Sequence, residues 1–185
     1  NYQVVNAPLA DATLEELADY PWPDSRDDSL FRNIETEASE LYKNTDWALI
    51  GNFGGSLFTL ASLLRGMEQW YIDLMLNKDF VRTLLDILTT YYTNIYRRSI
   101  EMVGRYLSII RIDNDDYGTQ EGLLISRELF NDTIRPQVEE YYAAVKSAFR
   151  AVNPNGTLMK HSCGDVSGII DELIEMGVDI LDPVQ

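Results

Sequence analysis

The chain has 185 residues, 45% of them hydrophobic, enough for a domain with a sizeable core. Thirty acidic against fifteen basic residues leave a formal net charge of -15, which repels nucleic acid and anionic membrane surfaces, since both are held by clustered Lys and Arg. A single cysteine cannot close an internal disulfide, and neither a signal peptide nor an apolar run of about 18 residues is present, so a cytoplasmic protein is expected.

Residues 1–45 are acidic and read as an irregular or helical approach segment, with a short helical patch at 13–20 before Pro21 and Pro23 interrupt regular structure. From 46 to 185 strands alternate with helices. WALI at 47–50 predicts a buried strand that turns at Asn52 and the Gly54-Gly55 pair. Leu57, Leu60, Leu64 and Met67 then recur at helical spacing, continued by 70–76 up to Asn77, a cap for a second helix. That helix is long, with Val81, Leu84, Leu85, Leu88, Tyr91, Tyr92 and Ile95 on one stripe. LSIIRI at 107–112 is the next strand and runs into the acidic loop DNDD at 113–116. Ser126 caps a helix with Phe130, Ile134, Val138, Tyr141, Val145 and Phe149 inward, which Pro136 must kink or split. NPNG at 153–156 closes it, and TLMKHSCG begins a third strand. A short helix over 166–176 should bury Ile169, Ile170, Leu173 and Ile174, with Gly177 at its end, and VDILDPVQ at 178–185 is the fourth strand.

This order predicts an α/β fold with parallel strands and long helices. GNFGGS lacks the spacing of a dinucleotide-binding glycine loop, which argues against an open doubly wound sheet. A (β/α)8 barrel takes about 250 residues, so four strands in this length are expected to be part of a TIM barrel, truncated at both ends. One partial barrel domain over 1–185 is the expected organisation.

In parallel α/β folds ligands gather at the carboxyl ends of the strands. Those ends carry Asn52, then Asp113, Asp115, Asp116 and Tyr117, then His161 and Cys163, then Asp182. His161 and Cys163 stand at i and i+2, on one face of a strand, and imidazole and thiolate are both zinc ligands. Zinc takes three or four protein ligands, so spacing alone leaves a second reading, a hydrogen-bonded histidine beside a small buried cysteine. The acidic loop reads as a cation or polar-substrate site, an acid/base pair, or a solvated turn. Asp113 and Asp115 are expected to share a face at the rim, with Asp116 pointing elsewhere and holding the loop; Gln120 and Glu121 are weaker candidates. The tyrosines at 91, 92, 96, 141 and 142 read as packing.

Five segments, PLADATLEELADYPWPD, GGSLFTLASLLRG, DNDDYGTQEGLLISRELFNDTIRP, HSCGDV and LIEMGVDILDPVQ, together resemble the uroporphyrinogen decarboxylase superfamily, in its branch of methylcobamide-dependent methyltransferases. The resemblance spans nearly the whole chain and implies a barrel enzyme. The catalytic tyrosine of the decarboxylase branch would fall near Leu63, and that branch's arginine-rich N-terminal motif lies nowhere in this sequence. In the methyltransferase branch a His-x-Cys pair and a later cysteine hold zinc. His161 and Cys163 match the pair, and the third ligand is expected outside this chain.

The resemblance thus implies zinc-dependent methyl transfer between a corrinoid (methylcobamide) on a partner protein and a small-molecule thiol or folate. Asp113, Asp115 and Asp116 would serve catalysis or orient the zinc-binding histidine, and Asn52, Tyr117 and Gln120 would meet substrate. A homodimer is compatible with this reading. Two others stand beside it: a metal-free uroporphyrinogen decarboxylase-like lyase in which Asp113 holds pyrrole nitrogens, and a non-catalytic corrinoid-binding barrel in which HSCG is packing.

Overall fold

The computed structural model describes residue 4 and residues 6–183. Helix α1 (Leu14–Asp19) is the patch expected at 13–20. Its N-terminus is closed reciprocally, the Thr13 hydroxyl accepting from the Glu16 N–H and the Glu16 carboxylate from the Thr13 N–H. Helix α2 (Ile34–Asn44) follows within the segment expected to be irregular or helical; none of its residues is fully buried, and Ile34 and Ala38 pack against the core.

Strand β1 (Ile50–Gly51) is shorter than the buried strand expected at 47–50. It lies at the edge of the described sheet, so Trp47 is 71% exposed and only Gly51 is buried. Helices α3 (Leu57–Arg65) and α4 (Met67–Leu76) are divided at Gly66, whose φ of 88° breaks the helical path. Of the expected stripe Leu57 is buried, Leu60 and Leu64 are half-buried against the core and Met67 is 62% exposed, and the buried face of α3 also takes in Phe58, Ala61, Ser62 and Arg65. Arg65 can turn inward because its guanidinium is well paired: Nε meets Asp73 at 2.6 Å, Nη1 the carbonyls of Leu9 and Ala12 at 2.6 and 2.8 Å, and the group lies over the Phe80 ring.

Helix α5 (Lys78–Val103) buries the expected residues Val81, Leu84, Leu85, Leu88 and Ile95. Strand β2 (Ile109–Asp113) leads to a small antiparallel hairpin, β3 (Gly118–Thr119) and β4 (Gly122–Leu123). Ser126 caps α6 (Arg127–Leu129), a π-helical turn spans Phe130–Ile134, and α7 (Arg135–Val152) begins with Pro136 in its first turn. The split expected at Pro136 is this π turn, in which Arg135 N–H reaches back to Phe130 O.

Strand β5 (Thr157–His161), helix α8 (Ile170–Glu175) and strand β6 (Ile180–Asp182) complete the chain. The end of the expected fourth strand, residues 184–185, lies outside the described residues. Ile169 and Leu173 are buried as expected, but Ile170 and Ile174 are exposed, and Glu172 and Met176 are buried in their place. The helix is entered through a tighter 3-10 turn, Ser167–Ile169, which rotates its face, and Glu172 can be buried because Arg127 and Asn131 donate to its carboxylate.

The four main strands form one parallel sheet in the order β1-β2-β5-β6. Ile110, Ile112 and Leu158 are buried in the same core as α5 and α7, each contributing roughly 1.5–3 kcal/mol. Ile109, Arg111, Met159 and His161 are half-buried on the opposite face. A bulge at Ile112 interrupts this alternation: Arg111 pairs with Met159 but Asp113, two residues on, pairs with Lys160.

Two tyrosines expected only to pack also fasten the strand ends. The Tyr96 hydroxyl accepts from Phe53 N–H at 3.3 Å and stands 2.8–2.9 Å from the carbonyls of Gly54, Arg111 and Ile112. Tyr141 donates to Ile112 O at 3.0 Å. Gly55, at φ 102°, lets β1 approach them, since a Cβ there would lie 2.1 Å from the Tyr141 hydroxyl and 2.8 Å from Ile112 O. Among the described residues no helix is long and apolar enough to cross a membrane.

Candidate metal centre

His161 ends β5 on the half-buried face of the sheet. Its Nδ1 lies 3.2 Å from Asp182 Oδ2 at the end of β6, the strand paired with β5 through His161 and Asp182. An ionised carboxylate only accepts, so this contact puts the proton on Nδ1 and leaves the Nε2 lone pair facing outward. Nε2 then stands 3.3 Å from Cys163 Sγ and 3.8 Å from Asp116 Oδ1. Asp116 also accepts from the Cys163 N–H at 2.7 Å. Among the described residues these are the histidine, cysteine and carboxylate groups placed as a metal would need, with one ligand atom from each all within 4.8 Å of one another.

The chain folds this way for local reasons. Gly164 follows Cys163 at φ 80°, and a Cβ there would meet the Gly118 backbone at 2.4 Å, so hairpin β3–β4 rests directly on the His-x-Cys turn. Asp165 N–H donates to Thr119 O at 2.7 Å and Tyr117 N–H to Ser162 Oγ at 3.0 Å, which bind the Asp116 loop and the cysteine turn together.

The aspartates separate differently from the expectation. Asp113 and Asp115 were expected at the rim and Asp116 away from it; the bulge at Ile112 reverses this. Asp113 is turned to the helix side and buried, bonded to Lys160 Nζ at 2.6 Å and accepting from the Tyr142 hydroxyl. Asp115 is buried at the start of α3, where Phe58 N–H and Thr59 N–H donate to it at 3.0 and 2.7 Å. Burial first, and then the charge of Asp113, push the Asp115 carboxyl up to about 6, although Lys160 and the two N–H groups oppose the shift. Tyr117 is buried with its hydroxyl 3.4 Å from Asp115 and its ring beneath Lys160. Asn52 is exposed and accepts from Gly54 N–H at 3.2 Å, and Gln120 and Glu121 are exposed at the hairpin tip. None of these three joins the His161–Cys163 group.

Two participants have no assigned role in the sequence reading. Lys160 is buried between Asp113 and two main-chain carbonyls, and its signal was a charged residue at an inward position of an apolar strand. Arg111, registered beside Met159, sends its charge toward the cysteine. Desolvation and then the negative Asp116 push the Cys163 thiol up, with Arg111 opposing. A bound cation would reverse that balance and hold the thiolate.

The donor set fits zinc. Zn–S and Zn–N bonds of about 2.3 and 2.05 Å at the tetrahedral angle place N and S about 3.6 Å apart, close to the 3.3 Å found. Three protein ligands are the number at a catalytic zinc, whose remaining position takes water or substrate.

No curated protein matches the chain. Among solved structures, a methyltransferase from Methanosarcina mazei aligns with a TM-score of 0.63 at 19% sequence identity, covering 98% of this chain and 48% of that one. The chain therefore spans about half the length of the structure it matches, and its parallel strands and long helices are part of a (β/α)8 barrel. The model of the uroporphyrinogen decarboxylase (URO-D) family matches residues 4–183, from before α1 to the end of β6 and across every strand end that builds the candidate site. The chain belongs to the uroporphyrinogen decarboxylase family.

Proposed function

We propose that Asp116, His161 and Cys163 bind zinc, and that the protein transfers a methyl group between a corrinoid carried by a partner protein and a small thiol or folate. The observation that carries this reading is the convergence of an imidazole nitrogen, a thiol sulfur and a carboxylate oxygen within 4.8 Å at the carboxyl ends of β2 and β5. The resemblance of HSCGDV to the methyltransferase branch supports it, as does the likeness in fold to a methyltransferase. The carboxylate of Asp116 takes the place of the third ligand that the sequence left outside the chain.

Zinc bound here would lower the pKa of an acceptor thiol and keep it as the attacking thiolate. The chain's own residues prepare the site. Asp182 fixes the tautomer and direction of His161, the anionic Cys163 and Asp116 add negative charge that keeps a bound sulfur nucleophilic, and Arg111 partly offsets that charge. Asp113 and Asp115 act at one remove, by holding Lys160 and the start of α3.

Metal-free decarboxylation requires Asp113 to reach a tetrapyrrole. Here it is buried against Lys160 and Tyr142, and the resemblance implies that the decarboxylase tyrosine would fall near Leu63. The test is metal content. Protein purified without chelator should carry about one zinc per chain, lost in His161→Ala, Cys163→Ala and Asp116→Ala. Metal-free wild type, or undiminished zinc in the His161 and Cys163 variants, would overturn the reading.

A further inference from the structure

We infer that Lys160 is the positioning residue of this metal centre, its buried ammonium clamping the Asp116 loop to the His161–Cys163 segment. The inference rests on the metal-binding reading above. The register between β2 and β5 ends at Asp113 and Lys160. Beyond that pair no main-chain bond joins 114–117 to 161–163 among the described residues, yet Asp116 lies on one segment and His161 and Cys163 on the other.

The Lys160 side chain replaces the missing ladder. Its Nζ donates to Asp115 O at 2.7 Å, one residue before Asp116, and to His161 O at 2.6 Å, on the metal-facing residue itself. Its third proton goes to Asp113 Oδ1 at 2.6 Å, so every donor is used. Two other links cross the same gap, Tyr117 N–H to Ser162 Oγ and Cys163 N–H to Asp116 Oδ1, and just beyond it Asp165 N–H donates to Thr119 O. The Cys163 link uses a carboxylate oxygen that a metal would also claim. With Asp116 engaged on a cation, the ties that remain are Lys160 and Ser162 beside the metal ligands and the Asp165–Thr119 main-chain bond farther along.

The charges point the same way. An ammonium beside a cation site repels the ion, and a wholly buried one is expensive to desolvate. Lys160 is 0% exposed and Asp113 1%, and Tyr142 also donates to that carboxylate, so the pair is nearly neutral toward a metal. A pair that served packing alone could be exchanged for uncharged side chains of similar volume without harm to the site. A clamp cannot be exchanged in this way, because no uncharged side chain offers three donors from one atom.

The test separates clamp from core. Lys160→Met orphans Asp113 and is expected to destabilise the fold, so the informative variant is Lys160→Met/Asp113→Asn, which removes both charges of the pair and leaves Asp115 held by the Phe58 and Thr59 N–H groups. Zinc affinity is measured by chelator competition and coordination by the cobalt(II) ligand-field spectrum, on protein whose fold is checked by thermal melting. The folded double variant is expected to lose zinc affinity by about 10–100-fold and to give altered cobalt bands. Wild-type affinity with an unchanged cobalt spectrum would overturn the inference while leaving the metal reading intact. Failure of wild type itself to bind either ion would overturn both.

Discussion

Replacing Asp182 by alanine removes the carboxylate that meets Nδ1 of the His161 ring. Partners placed this way on a metal-binding imidazole typically set 10–100-fold in metal affinity, by fixing the tautomer and raising ligand basicity. Two features place Asp182 at the lower end. Its Oδ2 lies 3.2 Å from Nδ1, longer than a short charge-assisted bond, and its side chain is 43% exposed, so solvent screens the contact. The expected loss is about tenfold in zinc affinity, about 1.4 kcal/mol. Asp182→Asn keeps an acceptor at the same place and should fall between wild type and alanine. Titration against a chromogenic chelator near neutral pH reads both, with His161→Ala as the variant that loses the site. If Asp182→Ala binds zinc as wild type does while His161→Ala does not, the ring is aimed by something else and the reasoning fails.

The Tyr96 hydroxyl ties β1 to the end of β2, and Tyr96→Phe leaves the Phe53 N–H without its buried partner; a loss of roughly 1–3 kcal/mol in urea unfolding is expected at an unchanged m-value. An unshifted midpoint would mean that the hydroxyl only packs. Burial raises the Asp179 carboxyl, but the Lys146 ammonium and the Leu158 N–H outweigh it and hold it below its usual range. A depressed folded pKa supplies stability that is present above the unfolded value and lost as pH falls through the folded one. Asp179→Asn should therefore melt below wild type at neutral pH, with the gap closing as both are acidified. A gap that stays constant with pH would contradict this assignment.

Much of the barrel segment was legible because its signals are local. A stripe such as Val81, Leu84, Leu85 and Leu88 encodes its own helix and Ser126 its own cap, whereas Cys163 lies past the end of β5 and meets His161 through the turn at Gly164. The misread faces share one cause. In α3 the inward residue was Arg65, admitted by a carboxylate and two carbonyls, and in α8 it was Glu172, admitted by Arg127 and Asn131. Hydropathy has no means of seeing such pairing, since the partners come from other segments.

The sequence by itself determined the alternation of strands and helices, the family, and the strand ends where chemistry should sit. Which aspartate reaches the histidine was decided only in three dimensions. A one-residue bulge at Ile112 turns Asp113 inward to Lys160, 47 residues away, and frees Asp116 for the cysteine turn. A strand's alternation has period two, so a single inserted residue exchanges its faces, and the ion pair that makes the exchange tolerable exists only once β2 and β5 lie side by side.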